Sequence, residues 1–527
     1  MIKKNKWLGL LPLLLLFCFV FSCKTQNYEV IVLGGTIFDG SGSPGYQADI
    51  GISEGRIQKI GKLKRTQGIQ VIEAEGKYVV PGFIDIHTHC DSGIGDPRRK
   101  DALSYLSQGV TTLVGGNCGG GTYNVSDYFL KLEEQGIGPN IVHLVGHGTV
   151  REAVLEYADK APNKEEMEKM KALVEKAMSE GALGLSSGLF YAPGSYARTE
   201  ELIELCKVVK KYNGIYATHL RDESNYGIGL LSAVEEAIEI GEKSGVPVQI
   251  SHIKALGKPV WGLSQEVSRV IEEARSRGVA VTADQYPYNA SSTSLTAALV
   301  PLWVQAGGRL RELLSGSSQL KGIKEEIAEN INRRGGAETL VIASSRNYSG
   351  WEGKSLQDIS VGLGKNTVDT AIEMVLNGGA SIVSFNMTDE DIEYFMAKSW
   401  VMTGSDGSLF LFGSSQPHPR SYGTFSRKIR SYVLDKKILS MEQAVRAATG
   451  LPAEVLGFSD RGMLKRGFVA DIVVFDPNSI QDNATYSDPH QYSSGIFAVL
   501  ISGKSVIEEG EYNGTLAGKP LRKGQDF

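Results

Sequence analysis

A parallel (β/α)8 barrel, an α/β fold, is predicted for this chain, with a small β-sandwich built from both termini and a lid-like insertion. Three observations predict it. Through the middle of the chain, short apolar strand patterns alternate with helical patterns, the signature of a parallel sheet covered by helices. Both flanks are strand-rich instead: 28–39 (YEVIVLGGTIFD), 48–60 and 71–80 at one end, 467–476 (GFVADIVVFD) and 498–509 at the other. Finally, polar residues able to bind metal or move protons stand at the ends of several predicted strands. In a barrel those ends converge on one mouth.

The chain has 527 residues, 42% of them hydrophobic, enough for a large core and more than one domain. Its 62 glycines suit many tight strand–helix turns. Net charge is −5, from 55 basic and 60 acidic residues, and no basic block follows the first residues. No nucleic-acid partner is expected. The first residues read as a targeting segment: Lys3, Lys4 and Lys6, then an apolar run over 7–21 too short to span a bilayer, then Ser22-Cys23. This resembles a bacterial lipoprotein signal. It implies export, cleavage before Cys23, and a membrane anchor through lipid on Cys23, on the periplasmic side or in the outer membrane. The expected division is 1–23 leader, 24–80 and 456–527 sandwich, and 81–455 barrel with an insertion at about 290–347. Of five cysteines only Cys90, Cys118 and Cys206 follow the leader, too few for a disulfide framework. Cys206 shares a helical face with Leu202, Leu205 and Val209 and is expected in the core.

The elements follow in order. Residues 79–91 (VVPGFIDIHTHCD) begin as a buried strand, with Phe83, Ile84 and Ile86, and end in His87-Thr88-His89. Residues two apart on a strand face one way, so His87 and His89 form a pair of candidate metal ligands. Cys90 is then turned away from His89, although neighbouring strands about 4.8 Å apart would let a turned-in Cys90 reach the next strand end. Strand 110–114 leads into Gly115-Gly116-Asn117-Cys118. Asn163 and Glu166 form a capping box for a helix whose stripe is Met167, Met170, Val174 and Ala177, stopped by Gly181. A second helix covers 199–213. Strand 215–218 leads into His219, 246–251 into His252, 279–283 into Asp284-Gln285-Tyr286, and 401–405 into Asp406. Residues 290–347 break this rhythm and are expected to cover the mouth. His87, His89, Cys118, His219, His252 and Asp406 together offer nitrogen, thiolate and carboxylate donors, a set that suits zinc (Zn2+).

PGFIDIHTH resembles the strand-one signature of the amidohydrolase superfamily. GNCG, GALGLSSGLFY, THLRDE, SHIK, TADQYPY, TGSDG and HPRSYGTF, in that order, resemble its N-acyl-D-amino-acid deacylases (D-aminoacylases). The resemblance runs from about residue 28 to about 518. Many members of the superfamily bridge two metals with a carboxylated lysine on strand four. Here 181–198 (GALGLSSGLFYAPGSYAR) contains no lysine, and the deacylases use a cysteine such as Cys118 instead. The resemblance therefore implies one tight zinc on Cys118, His219 and His252. It implies a weaker second site on His87, His89, Cys118 and Asp406. The implied reaction is zinc-dependent hydrolysis of the amide bond of N-acyl-D-amino acids, releasing a carboxylate and a free D-amino acid, with Asp406 as general base and then acid.

The substrate's own carboxylate needs a partner. Arg420 offers the bidentate fork, with Tyr286 and Ser292 as hydrogen-bond donors. Lys254 is expected near the acyl or side-chain end, and Tyr191 as a wall that closes the pocket. Two other readings compete: a cyclic-amide hydrolase of the hydantoinase or dihydroorotase kind, and a catalytically inactive ligand-binding lipoprotein. The missing strand-four lysine weighs against the first. An intact donor set that includes the acid–base Asp406 weighs against the second.

Overall fold

A computed structural model describes residues 2, 27–348 and 350–527. Cys23 and most of the expected leader lie outside the described residues. No helix among the described residues is long and apolar enough to cross a membrane.

Eight parallel strands form the barrel: β1 (Phe83–Asp85), β2 (Val110–Gly115), β3 (Asn140–Gly146), β4 (Gly184–Gly188), β5 (Ile215–His219), β6 (Val248–Ile250), β7 (Val281–Gln285) and β8 (Val401–Thr403). Each pairs with its neighbour in sequence order, from β1 round to β8. β2 and β3 are buried throughout, as strands covered on both faces must be. The intervening helices match their patterns. In Lys164–Ser179, Asn163 and Glu166 close the expected capping box, and Met170, Val174 and Ala177 are buried. In Thr199–Lys211, Leu202, Leu205, Cys206 and Val209 are buried.

No regular ladder joins β8 to β1. The seam is closed above them by a short parallel pair, Thr88–His89 with Gly407–Ser408, in the register Gly407 to Thr88 and Ser408 to His89. This alters the expected strand at 79–91. β1 stops at Asp85, whose Oδ1 accepts the His87 amide at 3.2 Å and the Ser405 amide at 2.9 Å. His87 therefore sits in a break between two strands. β6 also ends early, at Ile250, so Lys254 lies on a loop rather than on a continuing strand.

The termini build one nine-stranded sheet. Strand Tyr28–Ile37 divides it: the first part pairs with Gly68–Glu73 and the last with Tyr78–Pro81. The folded sheet closes over a shared core that includes Val32, Ile50, Ile72, Ile472 and Leu500, giving the sandwich. The expected insertion at 290–347 falls within a larger unit running from Ala290 to Phe385. Its three strands, Ala290–Ser294, Leu340–Ser345 and Ala380–Phe385, are antiparallel, with the last in the middle. A separate core fills it, with Leu299, Ile323, Ile327, Ile342 and Ile382. Between 340 and 385 a strand is followed by two helices, Leu356–Leu363 and Thr367–Leu376, and a second strand, which imitates the barrel rhythm that it interrupts.

Helix Arg420–Arg427 continues into a wider turn at Lys428–Asp435. Lys428 is buried beneath the barrel beside Phe83, Phe425 and Val445. Its Nζ donates to Thr403 Oγ1 at 2.9 Å, and among the described residues no carboxylate pairs with it. Burial pushes its amine down to about 7, from about 10.5 for an ordinary lysine. Between those values the unfolded chain holds the extra proton, so stability rises with pH across that window. Lys428→Met should raise the melting temperature most at pH 7 and below, and the gain should shrink towards pH 10. A gain that does not vary with pH would mean that the ammonium is compensated in the fold.

Candidate metal centre and substrate cavity

The loop after β2 is fixed by its glycines. Gly116 has φ +77°, and a Cβ there would lie 2.0 Å from the Leu144 carbonyl oxygen. Asn117 Nδ2 donates to the Val114 carbonyl at 2.9 Å, and the Gly119 amide donates to Ser186 Oγ at 3.0 Å. Between these anchors Cys118 is held at φ +52°. His252 at φ +36° and Asp406 at φ +51° share this region, which side chains other than glycine rarely adopt. Strained backbone of this kind persists where the surrounding structure dictates it, and it clusters at functional sites.

Cys118 Sγ faces three imidazole nitrogens: His87 Nε2 at 3.4 Å, His252 Nε2 at 3.7 Å and His219 Nδ1 at 3.9 Å. A thiolate and an imidazole sharing one tetrahedral zinc, with bonds of about 2.3 and 2.0 Å, stand about 3.5 Å apart. The donors thus fit such an ion. Burial alone would raise the Cys118 thiol, but the three histidines outweigh it and hold the thiol well below its ordinary value. A second cluster adjoins: Asp406 Oδ1 lies 3.0 Å from His89 Nε2 and 3.5 Å from His87 Nε2. Among the described residues three groups could hold a cation: His87–Cys118–His252, His87–His89–Asp406 and His219–Glu223–His252.

The ligand candidates are themselves held. Asp284 Oδ1 stands 3.2 Å from His87 Nδ1 and accepts the His252 amide at 3.0 Å, while Oδ2 accepts from Gln249 Nε2 at 2.7 Å. On the other side Glu223 Oε1 lies 3.1 Å from His252 Nδ1 and 2.7 Å from Lys254 Nζ. Burial would raise the Glu223 carboxyl, but Lys254, His219 and His252 hold it far below its ordinary range. Neither Asp284 nor Glu223 stood out as a site residue in the sequence. The signals were there, in the Asp284 that ends strand 279–283 and in the glutamate four residues after His219.

His89, Cys118, His219, His252 and Asp406 open onto one cavity of about 380 Å³; His87 is buried behind it. Tyr191, Lys254, Tyr286, Ser292 and Arg420 also line this cavity. Arg420 Nη1 lies 2.7 Å from Asp406 Oδ2, and its guanidinium stacks over Tyr286 at 4.8 Å. Burial would raise the Asp406 carboxyl, but Arg420, His252 and His89 hold it well below its ordinary range. The Tyr286 hydroxyl is buried without a hydrogen-bond partner. Tyr191 packs on the His219 ring at 4.7 Å, and its hydroxyl meets Thr293 Oγ1 at 3.2 Å. Lys254, expected as a substrate cation, already has its charge taken by Glu223. Cys90 is wholly buried, with its thiol on Tyr105 and Thr88, apart from the histidines around Cys118.

The amidohydrolase family model matches residues 70–305 and 396–507, and its gap falls largely on the insertion. This chain belongs to the amidohydrolase family. It is 35% identical to a D-aminoacylase from Alcaligenes xylosoxydans xylosoxydans over 95% of this chain and 98% of that one. Among solved structures it resembles an N-acyl-D-glutamate deacylase from Bordetella bronchiseptica in complex with zinc and a phosphonate inhibitor. Identity there is 32% and the TM-score 0.82, covering 94% of this chain and all of the other. It also resembles a D-aminoacylase with a binuclear metal centre, at 34% identity and TM-score 0.80, with the same coverage. In an amidohydrolase with this donor set, Asp284 orients the His87 ring and the His252 backbone. Asp284→Asn should therefore weaken zinc retention about 10- to 100-fold in chelator competition while the melting temperature shows a folded protein. Unchanged retention would reduce Asp284 to a packing residue.

Proposed function

We propose that this chain is a zinc-dependent hydrolase that cleaves the amide bond of N-acyl-D-amino acids to a carboxylate and a free D-amino acid. The observation that carries this reading is the position of Asp406, which touches His89 and His87 through one oxygen and Arg420 through the other, at the wall of the cavity. Cys118, His219 and His252 would hold a tight zinc, and His87, His89, Cys118 and Asp406 a weaker second ion. Bound at these residues, zinc would supply Lewis acidity to the scissile carbonyl and would lower the pKa of water towards about 7.

The chain's own groups do the rest. Asp406 takes the proton from the attacking water and returns it to the departing amine nitrogen. Arg420 receives the substrate's α-carboxylate, with Tyr286 and Ser292 donating hydrogen bonds beside it. The same guanidinium faces Asp406, so carboxylate recognition and the proton-moving group meet at one residue. Lys254 and Glu223 hold His252 in orientation, and Tyr191 walls the cavity over His219. The D configuration and the linear amide are carried over from the relatives' named substrates. The lysine-free β4, GLSSG, is a further reason to prefer a linear amide to a cyclic one.

Purified protein should release free amine from N-acetyl-D-amino acids and not from the L-isomers, and it should not open the ring of dihydrouracil, which is followed separately by the loss of its ultraviolet absorbance. Asp406→Asn should lose at least about 10²-fold in rate and keep most of its zinc, nearer one ion than two per dialysed chain. Turnover of dihydrouracil alone, or normal turnover by Asp406→Asn, would overturn the assignment.

We also propose that the chain is exported and anchored to a bacterial membrane by lipid on Cys23. The support is Lys3, Lys4 and Lys6, the apolar run at 7–21 and Ser22 before Cys23. Labelled fatty acid should attach to the wild type and not to Cys23→Ala. An unlabelled wild type would rule the anchor out.

A further inference from the structure

Three cationic side chains line the cavity, and its walls compensate only two of them. Lys254 pairs with Glu223 and Arg420 with Asp406, each at 2.7 Å. Arg334 is as buried as these, with 2% of its surface exposed, yet among the described residues no carboxylate lies within ion-pair distance of it. Its Nε donates to the Tyr226 hydroxyl at 2.7 Å, while Nη1 is buried with no hydrogen-bond partner. A buried charge without a counter-ion is costly, and such groups are ordinarily paired.

Arg334 is also held in place. It follows helix Leu320–Arg333 of the insertion, its amide donates to the Asn330 carbonyl at 3.2 Å, and its carbonyl accepts from Thr339 Oγ1 at 3.0 Å. The Tyr226 ring that it leans on is fixed edge-on against Phe190 at 5.3 Å and stacked under Arg333 at 4.5 Å. With Nε occupied, the outer edge of the guanidinium is what remains for a ligand. That edge forms two parallel hydrogen bonds with a carboxylate. Arg420 stands on a different wall, after β8 and over Tyr286, so the two guanidinium groups are separate receptors for negative charge.

We propose that Arg334 binds a second carboxylate on the substrate, carried by the amino-acid side chain. The preferred substrates are then N-acyl derivatives of acidic D-amino acids, D-glutamate or D-aspartate. This rests on the deacylase reading and adds to it the class of side chain. The test compares kcat/KM for N-acetyl-D-glutamate and N-acetyl-D-aspartate with their neutral isosteres, N-acetyl-D-glutamine and N-acetyl-D-asparagine, and with N-acetyl-D-leucine. N-succinyl-D-leucine serves as the arm that carries its second carboxylate on the acyl group.

Wild type should prefer one acidic substrate over its isostere by at least about 30-fold, and Arg334→Met should abolish that ratio, chiefly through KM. Arg334→Lys should restore part of it. Melting temperatures guard against a folding defect. Binding of N-acetyl-D-glutamate and N-acetyl-D-glutamine by calorimetry gives a readout that needs no turnover. A wild type that turns over N-acetyl-D-leucine best, with Arg334→Met lowering all substrates alike, would overturn the inference and leave the deacylase reading standing. A response confined to N-succinyl-D-leucine would also overturn it, by assigning Arg334 to the acyl group. Failure of every N-acyl-D-amino acid would overturn the deacylase reading itself, and the calorimetric ratio would still decide whether Arg334 selects an acidic ligand.

Discussion

The hydrogen bond from the Asp406 amide to the His87 carbonyl oxygen, at 2.8 Å, joins the first and last barrel strands where no regular ladder does. Thr88 and Gly407 pair just above it, and Asp85 gathers the amides of His87 and Ser405 just below. Asp85 is fully buried there, and burial pushes its carboxyl up to about 7 even though it accepts these hydrogen bonds. Closure of the barrel and assembly of the site are therefore one event. The contact that completes the ring of strands also brings the carboxylate of Asp406 to the imidazoles of His87 and His89. A barrel left open at this seam would keep Cys118, His219 and His252 together at the ends of β2, β5 and β6, and would separate them from the carboxylate of Asp406.

Around that seam the charges are arranged in pairs. Glu223 answers Lys254 and Asp406 answers Arg420. Each pair places a carboxylate between a cation and a histidine, so each fixes an imidazole and neutralises an ammonium or guanidinium at once. Taking charges out of water is expensive, and pairing with additional hydrogen bonds is what makes it tolerable. The arrangement explains why Lys254, free in a linear reading of the sequence, is not free in the fold.

Much of this was legible in the chain because the signals were local. The capping box of Asn163 and Glu166 and the stripe that buries Cys206 depend on residues within a few turns of each other. The six donors were legible for another reason: each lies at or just past the end of a strand, and parallel strands deliver their ends to one mouth. What escaped were the pairings made across sequence. Nothing near Asp284 announces that its oxygens serve His87 and His252, and nothing near Arg334 marks it as a residue of the cavity. The break after Asp85 was hidden because apolar residues continue through Ile86, and periodicity does not register a turn made inside a buried run. The insertion was undersized for the same reason, since the strand that completes its sheet lies beyond two helices that look like any others in the barrel.

Ala290 pairs directly with Phe385, so the insertion leaves the barrel and returns to it at one place. Between those residues it has its own sheet and its own core. A segment with adjoining ends and internal packing adds little closure entropy to its host and leaves the host's register untouched. The protein is in this sense modular: the barrel and the seam carry the clustered donors, and the insertion supplies a wall of the cavity from a piece with its own core. Grafting experiments can treat these as exchangeable parts, with the joint between 290 and 385 as the place to cut.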